Sequence, residues 1–188
     1  MLIVSKTKGH QEYIGKTIAQ IAVDLCLSPE EAVRRVLLDC EGYGQCIYFS
    51  INEEDIRHIM SKEWVCIGSD GADLVMKNAP ALHPRYFATF PQFFQTVREY
   101  NILPLEKAVF KATGLTASIL GLNDRGTLEV GKQADICVFD PQKYASKSTF
   151  LKPQAAPEGM YHVLINGRFA VRDQVLTGER LGSALCRK

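Results

Sequence analysis

No apolar run in the 188 residues approaches the roughly 18 that a membrane-spanning helix requires, so no membrane partner is expected. The opening MLIVSKTKGH turns polar too soon to read as a signal peptide. The six cysteines (26, 40, 46, 66, 137 and 186) contain no C-x-x-C pair, and the four histidines contain no close pair. These absences argue against a disulfide scaffold and against a self-contained zinc site, and for a reduced, cytoplasmic chain. Net charge is only +1, and the Lys and Arg of residues 141–188 are scattered, which leaves no electrostatic case for nucleic acid. No internal repeat and no low-complexity segment is present.

What is there is an ordinary globular balance, 46% hydrophobic and 23% charged, long enough for one good core or a core plus a small lobe. LIVS at 2–5 reads as a strand. Ile18, Ile21, Ala22 and Leu25 recur at helical spacing. Ser28, Pro29 and Glu31 suit N-cap, N1 and N3 of a capping box opening a second helix. QCIYFS at 45–50 reads as a strand, and 51–60 as a helix with Asn52 as N-cap and Ile51 and Ile56 placed for a hydrophobic staple.

WVCIGSDGADL, Trp64 to Leu74, then poses a question. Its apolar run stops abruptly on Ser69-Asp70-Gly71. The run fits a buried strand delivering a carboxylate to its C-terminal edge, where parallel α/β proteins bind ligands. It also fits a plain turn, since Asp and Gly favour turns. The order strand, helices, strand, helix, strand is that of a parallel sheet built from βα units, with 45–50 and 64–69 as neighbours.

After three prolines, at 80, 84 and 91, residues 92–101 read as a helix with Phe93, Val97 and Tyr100 on one side. Residues 104–113 read as another, with Gly114 as its C′ residue, and 116–122 as a short third. From Gly126 the pattern turns to strands. Asn166-Gly167 between two β-rich segments signals a type I′ hairpin, expected to lie beside 136–139. Cys66, Cys137, Tyr48, Phe49, Phe93 and Phe94 read as core, and His10, His58 and His162 as ordinary surface or strand residues.

The segments IGSDG, HPRYFATFPQFF, LPLEKAVFKATGLTASILGLNDRGTLEVGKQADICVFDP, VLINGRFAV and LTGERLG together resemble the C-terminal portion of the D-aminoacylases. These are N-acyl-D-amino-acid deacylases of the amidohydrolase superfamily. GKTIAQIA and IYFSINEEDIRHIM extend the resemblance to nearly the whole chain. It implies an α/β fold: the C-terminal part of a metal-dependent (β/α)8 barrel over 1–125, then the C-terminal part of a small β-sandwich over 126–188. A closed barrel takes about 250 residues, so only part of one is expected here.

On this resemblance the 64–69 run is the last barrel strand, and Asp70 is the catalytic carboxylate beside the metal, as a possible shared ligand. His83 and Arg85 match the family's HPR on a loop over the active site, where Arg85 would pair with a substrate carboxylate. The alternative is an arginine that only anchors a proline-rich loop. Ser5 matches a serine at the end of an earlier strand that faces the substrate, or else merely caps a loop. Ala88 stands where family members commonly carry Gly, and Lys6-Thr7-Lys8 replaces a more Pro- and His-rich run.

The implied cofactor is zinc and the implied substrate a small N-acyl amino acid. The family's other metal ligands, a His-x-His, a bridging Cys, Glu or carboxylated Lys, and later histidines, have no counterpart here. The chain is therefore expected to work only with a complementing N-terminal barrel segment, to self-associate, or to be a non-catalytic remnant or interaction protein. An open-sheet module for a small anion is the weakest reading, because no Gly-rich phosphate loop follows any strand.

Overall fold

The computed structural model describes residues 2–5, 9–71 and 83–185. The fold is mixed α/β, and its contacts gather into two compact units that cut across residue 125. One comprises Met1–Ile51, Gly71–Phe87 and Ser148–Gln154, the other Asn52–Asp70, Ala88–Lys147 and Ala155–Lys188.

The first unit holds β1 (Leu2–Ser5), a 3-10 turn at Gln11–Tyr13, α1 (Ile18–Leu25), α2 (Pro29–Asp39) and β2 (Gln45–Ile47). Both helices start with a complete capping box, Thr17 with Gln20 and Ser28 with Glu31. Ile18, Ile21 and Ala22 of α1 meet Ala32 and Val36 of α2, with Ile3, Tyr13 and Cys40 completing the core. Leu25, expected on that face, is 40% exposed. The short sheet is antiparallel, with Leu2 opposite Ile47 and Ser5 opposite Gln45.

Buried Tyr13 donates its hydroxyl to Asp39 Oδ2 at 2.5 Å, and Arg35 Nε donates to the same oxygen at 3.0 Å. The Tyr13 bond first, then the Arg35 bond, hold the Asp39 carboxyl below its usual range. Burial first, then the bond to Asp39, push the Tyr13 hydroxyl up to about 12. The carboxylate thus adds stability above its unfolded pKa and loses it as the pH falls through the lowered folded value. The phenol adds stability below its ordinary 10.0 and loses it as the pH rises to about 12. Tyr13→Phe is expected to cost about 1.5–3 kcal/mol at neutral pH, the scale of a hydrogen bond to a charged group. Urea unfolding near pH 7 and near pH 3 checks this, since the gap to wild type should narrow once carboxylates protonate. An equal gap at both would show that the carboxylate bond contributes nothing.

The second unit holds α3 (Glu53–Ser61), most of α4 (Arg85–Glu99), α5 (Leu105–Ala112), α6 (Gly114–Leu120), β3 (Ile136–Phe139), β4 (Met160–Ile165), β5 (Arg168–Arg172) and β6 (Val175–Leu176). Asn52 caps α3 by accepting the Glu54 amide. Ile51 is 71% exposed, so the expected staple with Ile56 does not bury it. Phe93, Phe94 and Val97 of α4 pack with Ala108 of α5 and with Tyr144. Tyr100 is instead exposed, with the Arg57 guanidinium 4.4 Å over its ring.

Gly114 opens α6 in place of closing α5. A Cβ there would meet the Phe110 ring at 2.8 Å, so glycine is needed for close approach. The left-handed C-cap glycine is Gly121, at φ 72°. The four-stranded sheet runs β3-β4-β5-β6, antiparallel throughout. Asn166 and Gly167, at φ 52° and 77°, form the β4–β5 turn, and β3 lies beside β4, as the sequence predicts.

Two expectations need correction. The described strands contain no parallel pair. Residues 64–69 form no strand, so they are not the parallel neighbour of 45–50. The Val65 and Ile67 amides of that segment bond locally and to α5 instead of to a neighbouring strand, as described below. Tyr48 and Phe49 are exposed, as is Cys137, and Cys66 is half-buried; the core cysteine is Cys40, 1% exposed.

Candidate active site

Asp70 ends an irregular segment that leaves the C-terminus of α3. Ser61 Oγ donates to the His58 carbonyl at 2.7 Å, and the Lys62 amide donates to Ile59 O at 3.1 Å, closing the helix. The Val65 amide then turns back to Lys62 O at 3.2 Å, and the Ile67 amide reaches Lys111 O on α5 at 3.3 Å. Val65, Cys66 and Ile67 are half-buried, with Ile67 against the Phe93 cluster, while Gly68, Ser69 and Asp70 are exposed. Asp70 is thus exposed at the end of an apolar run that is not the expected strand.

Two lysines of α5 hold the start of this segment. Lys107 Nζ pairs with Glu63 Oε1 at 2.7 Å, and this bond lowers the Glu63 carboxyl below its usual range. Lys111 is 3% exposed and donates its Nζ to the Lys62 carbonyl. Burial pushes its ammonium below the ordinary lysine value. Sequence reading passed over Lys111. The available signal was its place beside Ala108 and Ala112, on the face α5 turns to the core.

His83 and Arg85 come together at the start of α4. The Arg85 amide donates to His83 Nδ1 at 3.1 Å, and the Arg85 guanidinium lies 5.9 Å from the Tyr86 ring centroid. The His83 ring meets Phe150 edge-on at 5.5 Å, and Phe150 meets Phe49 at 5.3 Å. A Cβ on Gly71 would fall 2.9 Å from Tyr86 Cδ1, so the residue after Asp70 is fixed as glycine by an aromatic neighbour. Ser5 ends β1, after a register shift. Ser5, His83 and Arg85 belong to the first unit and Asp70 to the second. Residues 6–8 and 72–82 lie outside the described residues.

Among the described residues no group of three His, Cys, Asp or Glu could hold a metal ion. What the arrangement can do unaided is present an exposed carboxylate at the end of an anchored segment and, near the Tyr86 ring, the guanidinium of Arg85, whose backbone amide donates to His83.

Comparison with known proteins covers almost the whole chain. Residues 49–171 match the amidohydrolase family. The N-acyl-D-aspartate deacylase of Alcaligenes xylosoxydans xylosoxydans is 35% identical over 182 residues, 96% of this chain and 34% of that protein. The D-aminoacylase of the same organism is 34% identical over 186 residues, 98% of this chain and 37% of that protein. In the crystal structure of a D-aminoacylase the match has a TM-score of 0.78 at 36% identity, covering 96% of this chain and 36% of that one. The N-acyl-D-glutamate deacylase of Bordetella bronchiseptica, solved with zinc and a phosphonate mimic of the tetrahedral intermediate, matches at TM-score 0.72 and 34% identity, covering 89% and 34%. The chain spans about a third of the length of the curated relatives it matches. Those residues, 49–171, and that identity settle its kinship: the chain belongs to the amidohydrolase family and resembles the D-aminoacylases within it.

Proposed function

We propose that this chain is the C-terminal part of a metal-dependent amide hydrolase that cleaves N-acyl-D-amino acids into a carboxylate and a free amino acid. The observation that carries the reading is 34–37% identity to three deacylases over at least 95% of the chain. Residues 1–125 would derive from the last part of a (β/α)8 barrel and 126–188 from a β-sandwich, with the protein acting in the cytoplasm. Free Cys26, Cys40, Cys46, Cys66 and Cys137 support a reducing compartment.

In the proposed reaction water adds to the amide carbonyl and the C–N bond then breaks. Asp70 takes the proton from the attacking water and returns it to the leaving nitrogen. Arg85 pairs with the substrate's carboxylate, a bidentate match that lysine would not give, and His83 holds the Arg85 backbone. Ser5 lines the substrate side. Zinc, when bound, would polarise the carbonyl and make water more acidic. Its remaining ligands would come from outside the described residues.

Trp64, Leu128 and Val130, at 76%, 80% and 108% exposure, support a complementing barrel segment or a second copy as partner. The alternative is a non-catalytic remnant or interaction protein of the same descent. Zinc-supplemented 1–188 should hydrolyse no N-acyl-D-amino acid by itself. Joined to the part of the Alcaligenes D-aminoacylase that lies outside the match, it should do so, and a chelator should stop it. A joined protein that folds, binds zinc and stays inactive would favour the remnant. Chelator-sensitive turnover by 1–188 alone would end the case for a complementing segment.

A further inference from the structure

We propose that Lys111 is a positioning residue for Asp70, gripping from α5, at residues 62 and 67, the segment that leads to the carboxylate; this rests on the reading of Asp70 as the catalytic group. The Lys111 ammonium donates to the Lys62 carbonyl where α3 ends, and the Lys111 carbonyl accepts the Ile67 amide at 3.3 Å. One residue therefore fixes the chain at 62 and at 67, and Asp70 follows three positions on. The same carbonyl accepts Thr116 Oγ1 at 3.0 Å, which ties the grip to α6.

The choice of lysine here is informative. Position 111 is 3% exposed and lies beside Ala108 and Ala112. An apolar side chain would pack there without the desolvation cost of an ammonium. Core packing does not explain the charge, but the bond to Lys62 does. The segment it holds has no strand ladder. Without the clasp it keeps the Val65 turn, the Lys107–Glu63 pair and the Ile67 contacts. Small displacements of a proton-transferring group are costly, about 10²-fold for 1 Å. Asp70 acts on bond making and breaking, so its displacement should lower kcat and leave KM nearly alone.

Lys111→Met and Lys111→Arg test this, in 1–188 and in the joined enzyme. Arginine keeps the charge and the donor toward the Lys62 carbonyl, and a groove of about 440 Å³ bordered by Ser61, Glu63, Lys107 and Phe110 adjoins position 111. In 1–188, K111M should keep cooperative unfolding while amide exchange at Val65 and Ile67 speeds about tenfold and β4 stays protected. K111R should restore most of that protection. In the joined enzyme, K111M should lower kcat about 10²-fold with KM within about twofold, and K111R should recover most of it. Unchanged exchange in K111M, or faster exchange throughout with loss of cooperativity, overturns the proposal, as does an unchanged kcat in an active joined enzyme. If the joined wild type is inactive, the catalytic reading fails, and the exchange arm still decides whether Lys111 holds the segment.

Discussion

Asp70→Asn in the joined enzyme is expected to lower turnover by about 10²–10⁴-fold, the contribution usual for a positioned general base. Asparagine matches aspartate in shape and keeps one carbonyl acceptor, but it cannot take a proton from water and return it to a leaving amine. Substrate contacts assigned to Arg85 are untouched, so KM should stay close to that of wild type. Asp70 is exposed at the end of an irregular segment, so the unfolding midpoint should also hold. Steady-state kinetics with an N-acyl-D-amino acid, zinc analysis and a melt on the same preparation separate the outcomes. Lost turnover with zinc retained assigns Asp70 to proton transfer. Lost turnover with zinc also lost assigns it to the metal. Unchanged turnover removes it from the active site.

Legibility in the sequence follows the range over which each signal acts. Ser28 with Glu31, Asn52 and Asn166-Gly167 are local devices, complete within four residues, and each forms as its residue types dictate. Phe93 and Val97 recur at helical spacing and are buried together. The 64–69 segment has no such local determinant. An apolar run of that length fits a strand or any other buried segment equally. What decides it is Lys111, distant in sequence, whose carbonyl and ammonium take Ile67 and Lys62. Tyr48 and Phe49 were misread as core for the same reason. Apolarity says that a side chain tends to be covered, not how much of it the described structure covers: Phe49 meets Phe150 edge-on yet stays 61% exposed.

The site divides along the same line. Asp70 stands out because a carboxylate ends an apolar run, a local pattern that fits a plain turn as well; its catalytic assignment comes from the resemblance. The contact of His83 with Arg85 is local, because only Pro84 separates them. The constraint on Gly71 is not local, since it depends on the Tyr86 ring. The role of Lys111 is hidden further, because lysine ordinarily marks a solvated face, and only the packing of α5 shows that this one is enclosed.

The largest stability effect is expected at Phe93. Its side chain is 2% exposed and meets the Phe94 ring edge-on at 5.3 Å. Phe94 in turn meets Phe139 of β3 at 5.4 Å and Tyr144 at 5.6 Å, and those two rings lie 5.0 Å apart. Ala108, fully buried on α5, leaves the α4–α5 contact no spare bulk with which to fill a gap. Phe93→Ala therefore loses both the transfer free energy of the ring and the contacts around the space it leaves, about 3–5 kcal/mol together. That is a large share of the 5–15 kcal/mol by which domains are typically stable. The melting midpoint of 1–188 should fall by roughly 10–20 °C, with loss of helix and sheet together because the ring cluster joins them. Phe110, 51% exposed on the same α5, is the control. Phe110→Ala should cost about 1 kcal/mol, since about half of its surface stays in water on folding and only part is buried. A Phe93→Ala melt as close to wild type as that of Phe110→Ala would mean that the aromatic cluster does not carry the second unit.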